Sequence, residues 1–540
     1  MTITTNADAD SPKDVRGFLG RDVISISDFS WADISAILST AAEIDSCERR
    51  GANPHSQLLT GKKISLMFFE DSTRTRFSFE QAAQRLGAKT TGFAGVQGTS
   101  AGQKGESLDD TAFMISSYGM DAYIIRHSLD GSVRWVADSL DWLCGTHQDI
   151  IRRGPIFNAG DGKHEHPTQT LLDIYTIIEA FGNLDWLRIV LSGDLKYGRT
   201  VHSLLYAFSL YAKHKPGCGL RVHLISPPTL RMPDVYKTFA SESGIKLTEG
   251  ETYTDSEVSH ADIIYATRIQ KERMGSEEEF ERVKKQLCVT TNILDKMPAC
   301  GILMHPLPIN KHAAEISTDA KRHSKCRVYR QARNGYIVRQ ALLALTIGGL
   351  DVDKYGPYVH SSTTSKGMEL DELPVGLEQL NRVGRYTNDI KTFGTVVDHL
   401  PWGSSSRLRG LLRIPKQAGI TVFNCEGVVG KSGNAKDVLK VEGHHLSDYD
   451  LNVIGLIAPR ATFTHIKDGK KTRKFRVRLP ETVTGLIKCP NPGCISRPEH
   501  QEGAPSIFRK DEQMTTEKQL VFRCHYDDTL VKSDEVELLK

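Results

Sequence analysis

The chain has 540 residues, 39% of them hydrophobic and 25% charged, with a formal net charge of +3. That length suggests roughly three or four domains, and the composition is that of a soluble globular enzyme rather than a disordered chain. So small a charge imbalance gives no reason to expect a nucleic-acid or membrane partner. Residues 1–14 are polar and acidic without an apolar core, which fits neither a signal peptide nor a basic transit peptide, and no run is apolar enough to span a bilayer. Of the ten cysteines, seven are scattered, as expected of reduced thiols in a cytoplasmic protein. Cys489, Cys494 and Cys524 alone look organised.

In chain order, residues 63–69 read as a buried strand and 77–86 as a helix, with 70–76 as the loop between them. Apolar strands follow at 121–125, 187–192, 220–225, 261–267 and 300–304, with a helix at 202–212. Apolar strands alternating with helices predict parallel sheets covered on both faces, here two doubly wound α/β domains. Ligands then bind on the loops beyond the carboxyl ends of the strands. A helix at 336–347 stops at Gly348-Gly349. Residues 355–385, with Pro, Gly and a Ser/Thr cluster, read as linker. Strand signals then dominate at 394–397, 408–414, 421–425, 452–457 and 472–478, and 447–453 contributes helix, an α+β pattern. The stretch from about residue 480 carries the organised cysteines among turn residues.

The string Ser72-Thr73-Arg74-Thr75-Arg76 joins a strand to a helix. A helix N-terminus offers unpaired N–H groups and a positive dipole end, and arginine binds oxyanions through two parallel hydrogen bonds. The bland alternative is a capping hydroxyl beside solvated arginines; the whole string at such a junction favours a phosphate site. It resembles the carbamoyl-phosphate signature of the carbamoyltransferases. The resemblance continues through Thr99-Ser100 with Lys104-Gly105-Glu106, Arg126-His127, His166-Pro167-Thr168-Gln169, Gly193 to Arg199, Thr267-Arg268 with Gln270 to Arg273, and His305-Pro306-Leu307-Pro308. The string from Arg268 to Arg273 resembles the aspartate enzymes rather than the ornithine enzymes, which typically carry a cysteine in the His305–Pro308 motif.

The resemblance implies transfer of the carbamoyl group from carbamoyl phosphate to the amine of L-aspartate, with no catalytic cofactor. It assigns Ser72, Thr73, Arg74, Thr75 and Arg126 to the phosphate. Thr75, Arg126 and His166 polarise the carbonyl oxygen, and Gln169 meets the carbamoyl amide. Arg199, Arg268 and Gln270 take the aspartate carboxylates, and Pro306 and Leu307 offer main-chain carbonyls. Ser100 and Lys104 reach a neighbouring subunit's site, which implies a homo-oligomer built on catalytic trimers. Two other readings are a carbamoyltransferase for another amine, such as ornithine, and a non-catalytic scaffold retaining the fold.

From residue 388 onward the chain resembles the regulatory chain of bacterial aspartate carbamoyltransferase, through Gly394 to His399, Lys436 to Glu442, Ala458 to Thr462 and Cys489-Pro490-Asn491 with Cys494. That implies a nucleoside triphosphate effector held by Asp398, His399, Lys440 and Lys474, and a structural zinc ion. Thr464 stands where that family usually has asparagine. The family closes its zinc site with Cys-x2-Cys, but here the string is Cys524-His525-Tyr526-Asp527, so Cys489, Cys494, Cys524 and Asp527 are the expected ligands, with His525 the nearby alternative. The expected division is 15–155 for carbamoyl phosphate, 156–350 for aspartate, 351–386 as linker, 387–480 for the nucleotide and 481–540 for zinc.

Overall fold

The computed structural model describes residues 17–97, 99–147, 150, 153–269, 276–309, 315–350, 369–372, 390, 392–415, 418–429, 435–512, 514–515 and 519–539. Two compact units divide the chain at His360 and Ser361.

The first unit holds two parallel sheets. One orders its strands Lys89–Ala94, Lys63–Phe68, Ala122–His127, Ile156–Asp161. The other orders them Lys246–Gly250, Arg221–Ile225, Arg188–Ser192, Ile263–Ala266, Ile302–Met304. Helices and buried aliphatic residues cover the faces, which is why the inner strands read as continuous apolar runs, whereas the edge strands Lys89–Ala94 and Lys246–Gly250 are largely uncovered and carry no such signal. In each sheet the chain leaves neighbouring strands in opposite directions at one point: Lys63–Phe68 beside Ala122–His127, and Arg188–Ser192 beside Ile263–Ala266. Such switch points open a crevice at the carboxyl ends of the strands. The first sheet runs past residue 155, the boundary expected from sequence, because Ile156–Asp161 pairs with Ala122–His127.

The helix Thr73–Arg85 begins four residues before the predicted 77, so Thr73, Arg74 and Thr75 form its first turn rather than a loop. The long helix Val328–Thr346 packs against Thr73–Arg85, Pro167–Phe181 and Trp31–Arg49.

The second unit has a six-stranded antiparallel sheet ordered Glu369–Glu372, Lys470–Arg478, Thr462–Lys467, Phe393–Leu400, Ala435–Glu442, Thr421–Val429. Two expectations fail here. Residues 408–411 end the helix Ser404–Leu411 and 412–414 join no strand, while 452–457 fall in the helix Asp448–Ile457. A short apolar run fits a buried strand and a buried helix equally well, so tertiary packing decides. In the second case Ser447 and Asp450 form a reciprocal cap, and Val453, Ile454 and Ile457 enter the core beneath the sheet. In the first the cap comes from afar: Asp437, on a neighbouring strand, accepts the Ser405 N–H at 3.1 Å. A third expectation changes in part. Within the predicted linker, Glu369–Glu372 adds an edge strand, Glu372 pairing with Phe475 and Glu369 with Arg478; the rest of 355–385 lies outside the described residues.

The C-terminal module is a four-stranded sheet ordered Thr482–Thr484, Ile507–Lys510, Val521–Cys524, Leu530–Lys532, plus the pair Ile487–Lys488 with Glu537–Leu538. Arg407 ties the helix Ser404–Leu411 to this module, donating to the Asp534 carbonyl and, at 2.6 Å, to that of Val536. Among the described residues no helix is long and apolar enough to cross a membrane.

Candidate functional site

The two switch points carry Ser72 to Arg76, Arg126, Arg199 and Arg268, while His166 and Gln169 follow the edge strand Ile156–Asp161. Ser72 occupies the N-cap position of Thr73–Arg85, yet its hydroxyl makes no capping hydrogen bond. The first-turn N–H groups and this hydroxyl are therefore left as donors for an anion. Arg126 ends the strand Ala122–His127, donates to the Ala159 carbonyl at 3.0 Å and pairs with Glu70 at 2.9 Å. Arg199 opens the helix Arg199–His214 and donates to the Gly162 carbonyl. Both guanidinium groups converge on Gly160, whose φ is +116°. A Cβ there would meet Arg126 Nη1 at 2.6 Å and Arg199 Nη2 at 3.1 Å and so displace a guanidinium, and the positive φ itself favours glycine.

This crowding of like charge has an electrostatic signature. Burial and then the Arg126 charge lower the Arg74 pKa, and burial and then Arg126 do the same to Arg199. A site in which cations depress one another is complementary to a multivalent anion.

His166 caps the helix Pro167–Phe181 by position, and proline at the first helical residue fixes that turn. The residue is 6% exposed, with Nε2 3.5 Å from Thr75 Oγ1. Burial, then Arg199, Arg339 and Arg126, hold its pKa well below the usual histidine value, so the imidazole at neutral pH is uncharged. Gln169 donates from Nε2 to Asp173 Oδ1 at 2.9 Å. His305 Nδ1 accepts the Leu307 N–H at 2.9 Å, and Leu307 has φ +58°, which folds the Pro306-Leu307 turn back on itself. Burial, followed by the charges of Arg74 and Lys321, pushes His305 down to about 3.

These depressed histidines give a pH prediction. His202, whose Nε2 lies 2.8 Å from the Leu195 carbonyl and whose ring stacks on Tyr236, is lowered to about 4 by burial. The unfolded chain takes up protons below about pH 6.5 that the folded chain refuses at His166, His202 and His305. Stability present above that pH is lost as pH falls, at up to roughly 4 kcal/mol per pH unit for three such groups. Melting temperatures are expected to drop steeply from neutral pH toward pH 5, and His202→Gln to flatten that slope. A melting temperature independent of pH over this range would contradict the buried neutral histidines.

Arg268 is exposed just beyond the strand Ile263–Ala266, and Gln270 lies outside the described residues. Ser100 and Lys104 are exposed on the short helix Ser100–Lys104, and among the described residues neither bonds to the cluster. Sequence reading missed several residues that the fold brings in. Glu70 pairs with Arg126. Arg339 is buried on Val328–Thr346 and donates to Thr168 Oγ1 at 3.0 Å. Asp173 accepts from Gln169, from Gln331 Nε2 at 2.6 Å and from the Tyr265 hydroxyl at 2.7 Å. Only Asp173 had a signal, its spacing of four from Gln169 on one helix.

In the second unit Lys440, Val396, Thr464 and Lys474 form one row across four adjacent strands. They lie on the face opposite Val397, Phe463, Leu439 and Phe475, which build the core. Asp398 pairs with Lys436 at 2.6 Å, and this pair and the His399 N–H lower its pKa against burial. His399 has φ +63°, and its Nδ1 lies 3.2 Å from Thr462 Oγ1. Burial lowers its pKa, Asp398 opposes that, and Lys436, Lys474 and Arg476 lower it further, so the ring sits among one carboxylate and three cations.

In the C-terminal module donor atoms of Cys489, Cys494, Cys524 and Asp527 all lie within 4.8 Å of one another, and all four residues are buried. Cys494 Sγ and Cys524 Sγ are 3.8 Å apart; Cys489 Sγ is 3.5 and 3.7 Å from the Asp527 oxygens. A tetrahedral zinc with sulfur ligands at about 2.3 Å would place sulfurs about 3.8 Å apart. The four donors therefore fit a structural zinc ion. Asn491 Nδ2 and the Thr529 N–H donate to the Asp527 carboxylate at 2.7 and 3.1 Å, fixing its orientation. His525 is not part of the four-donor group.

Comparison with known proteins assigns all four regions. Residues 21–179 match the aspartate/ornithine carbamoyltransferase carbamoyl-P binding domain, and 185–346 the Asp/Orn binding domain of the same family. Residues 388–478 match the allosteric domain, and 481–537 the metal binding domain, of the aspartate carbamoyltransferase regulatory chain. The aspartate carbamoyltransferase catalytic subunit of Thermococcus onnurineus is 42% identical over 332 residues, 62% of this chain and 98% of that protein. That of Methanothermobacter thermautotrophicus is 42% identical over 326 residues, 60% of this chain and 95% of its own length. Among solved structures, aspartate transcarbamoylase from Trypanosoma cruzi in complex with N-(phosphonacetyl)-L-aspartic acid aligns with a TM-score of 0.54 at 32% identity, covering 61% of this chain and 97% of that one. The catalytic subunit of M. jannaschii aspartate transcarbamoylase aligns with a TM-score of 0.53 at 35% identity, covering 62% and 100%. The chain belongs to the aspartate carbamoyltransferase family, and carries in one polypeptide a catalytic region followed by the allosteric and metal-binding regions of the regulatory chain.

Proposed function

We propose that the chain transfers the carbamoyl group of carbamoyl phosphate to L-aspartate at the crevice between its two parallel sheets. The observation that carries the assignment of residues is the crowding of Arg74, Arg126 and Arg199 beside the unused donors of the Thr73–Arg85 N-terminus. Ser72, Thr73, Arg74, Thr75 and Arg126 hold the phosphate. Thr75, Arg126 and neutral His166 aim at the carbonyl oxygen, where charge develops as the aspartate amine attacks the carbonyl carbon. The new C–N bond forms, the C–O bond to phosphate breaks, and the nitrogen sheds a proton. Acceleration comes from positioning and from donors set in advance, with no covalent intermediate on the protein. Arg199, Arg268 and Gln270 take the aspartate carboxylates, with the Pro306 and Leu307 carbonyls facing its amine. Ser100 and Lys104, exposed on their short helix, complete the site of a neighbouring copy, so the working unit is a trimer or a multiple of it.

The same reading makes the polar row of the second unit the effector site. Neighbouring strands are about 4.8 Å apart, so Lys440 and Lys474, three strands apart, stand roughly 14 Å from each other, a span suited to a nucleoside triphosphate. With Asp398 and His399 at its margin, such a ligand would have its phosphates matched by lysine. The functional pieces run in the order carbamoyl phosphate, aspartate, linker, nucleotide and zinc, in a cytoplasmic protein.

Product analysis tests this directly. With carbamoyl phosphate and L-aspartate the purified chain should give N-carbamoyl-L-aspartate and phosphate in equal amounts. Carbamoylation of ornithine in preference to aspartate would overturn the substrate, and no turnover of either would leave a scaffold. Millimolar ATP, CTP or UTP should shift the aspartate saturation curve by a coupling of about 1–3 kcal/mol, and Lys474→Ala should abolish the shift. Calorimetry showing no nucleotide binding would remove the effector site.

A further inference from the structure

The assignment of Gln169 to the carbamoyl amide leaves open which end of its side-chain amide meets the substrate. An oxygen would accept from the carbamoyl NH2; a nitrogen would not. The neighbours of Gln169 decide this. Asp173 follows it by one helical turn and is fully buried. Its Oδ1 accepts from Gln169 Nε2 at 2.9 Å and from Gln331 Nε2 at 2.6 Å, and its Oδ2 accepts from the Tyr265 hydroxyl at 2.7 Å.

Gln331 cannot be turned round. Its Oε1 accepts the main-chain N–H of His305 at 2.8 Å, and a main-chain N–H only donates. Gln331 must therefore present Nε2 to Asp173, and Asp173 must present an acceptor at Oδ1. That same oxygen faces Gln169, which can meet it only with Nε2. Three elements enforce the arrangement: the helix Pro167–Phe181, the strand Ile263–Ala266 that bears Tyr265, and the helix Val328–Thr346 that bears Gln331.

We infer that Asp173 is a positioning residue for substrate specificity: it fixes Gln169 with Oε1 toward the substrate, as an acceptor for the carbamoyl NH2, and so selects a carbamoyl phosphate over an acyl phosphate of the same shape. The inference rests on the reading of Gln169 given above. Acetyl phosphate, with a methyl group in place of the NH2, cannot donate and is the natural probe.

The measurement is the ratio of the acetyl phosphate inhibition constant to the KM for carbamoyl phosphate. Asp173→Ala frees Gln169 to rotate and is expected to reduce this ratio by about tenfold, the worth of one oriented hydrogen bond. Asp173→Asn should keep more of the ratio than Asp173→Ala. Gln331 still demands an oxygen at that position, and the Tyr265 hydroxyl can turn from donor to acceptor. A fall in kcat for Asp173→Ala with the ratio unchanged would mean a merely structural carboxylate and overturn the inference. Should Asp173→Ala not fold, the unliganded melting temperatures of Gln169→Glu and Gln169→Ala between pH 6 and pH 9 decide. Burial raises Asp173 to about 7, so Gln169→Glu sets two acids across the contact that share a proton at low pH and repel once both ionise. Gln169→Glu is expected to fall relative to Gln169→Ala as pH rises, and a difference independent of pH overturns the inference. Gln169→Ala separates this failure from that of the underlying reading. If it leaves the ratio unchanged, Gln169 does not meet the carbamoyl amide at all; if it collapses the ratio while Asp173→Ala does not, only the role of Asp173 falls.

Discussion

Arg74→Ala is expected to lower kcat/KM for carbamoyl phosphate by roughly 10²–10³-fold while leaving the melting temperature close to that of the parent chain, a loss typical of removing one preorganised donor from a developing anion. The asymmetry follows from where the residue sits. Arg74 is exposed on the first turn of Thr73–Arg85 and carries no packing in the core. Partial burial of its guanidinium and then the Arg126 charge lower its pKa, so the folded-state environment disfavours this cation. Relieving that penalty offsets the stability lost with its few contacts, whereas the bound phosphate loses a guanidinium. His166→Ala separates binding from chemistry. His166 is a neutral imidazole beside Thr75, and on the reading proposed above it acts on the carbonyl oxygen, so its loss should fall more on kcat than on substrate affinity. Steady-state kinetics over carbamoyl phosphate and aspartate, with thermal melts on the same preparations, check both variants. An unchanged kcat for His166→Ala would withdraw it from the carbonyl.

The second large effect is expected at the C-terminal module. The purified chain should carry about one zinc per polypeptide, and a strong chelator should unfold the region around Cys489–Asp527. Structural zinc contributes on the order of 10 kcal/mol of apparent binding energy to small modules of this kind. A module of this size, with a core built around Phe508, Phe522 and Tyr526, buries too little apolar surface to offset its conformational entropy without the metal. Asp527→Ala removes one of the four clustered donors and leaves Asn491 without its carboxylate partner, so zinc should be lost at far lower chelator concentrations. His525→Ala should change retention little, because its ring is not part of the four-donor group. Metal analysis and chelator titration monitored by circular dichroism make the measurement. A chain with far less than one zinc, indifferent to chelator, would sink the metal assignment.

Much of this was legible in one dimension because the chemistry sits at element ends. Ser72 to Arg76, Arg126, His166 to Gln169 and Arg199 all occupy strand-to-helix junctions, and such junctions leave a sequence trace: an apolar run, then hydroxyls, glycines and cations, then an amphipathic run. The spacing of Cys489, Cys494, Cys524 and Asp527 was legible for a similar reason, since a tetrahedral ion tolerates few arrangements of a short loop. The misreadings fell where local pattern is degenerate. Residues 408–414 and 452–457 are apolar enough for either a strand or a buried helix, and a cap from Asp437 in the first case and a packed face in the second settled 408–411 and 452–457 as helix. The edge strand Glu369–Glu372 has no apolar signal, because what holds it is main-chain pairing with Lys470–Arg478.

The sequence by itself therefore determined the family, the order of the regions, the hydroxyl- and arginine-rich strand-to-helix junction and the four clustered metal donors, since each depends on residue types at short, fixed separations. Only the tertiary structure decided how the site is tuned. The convergence of Arg126 and Arg199 on Gly160, the loss of charge on His166, the row from Lys440 to Lys474, and the chain of bonds from Gln169 through Asp173 and Gln331 to His305 join residues far apart in the chain. Electrostatic and hydrogen-bond coupling depends on distance in space and on burial, and neither is written in sequence separation.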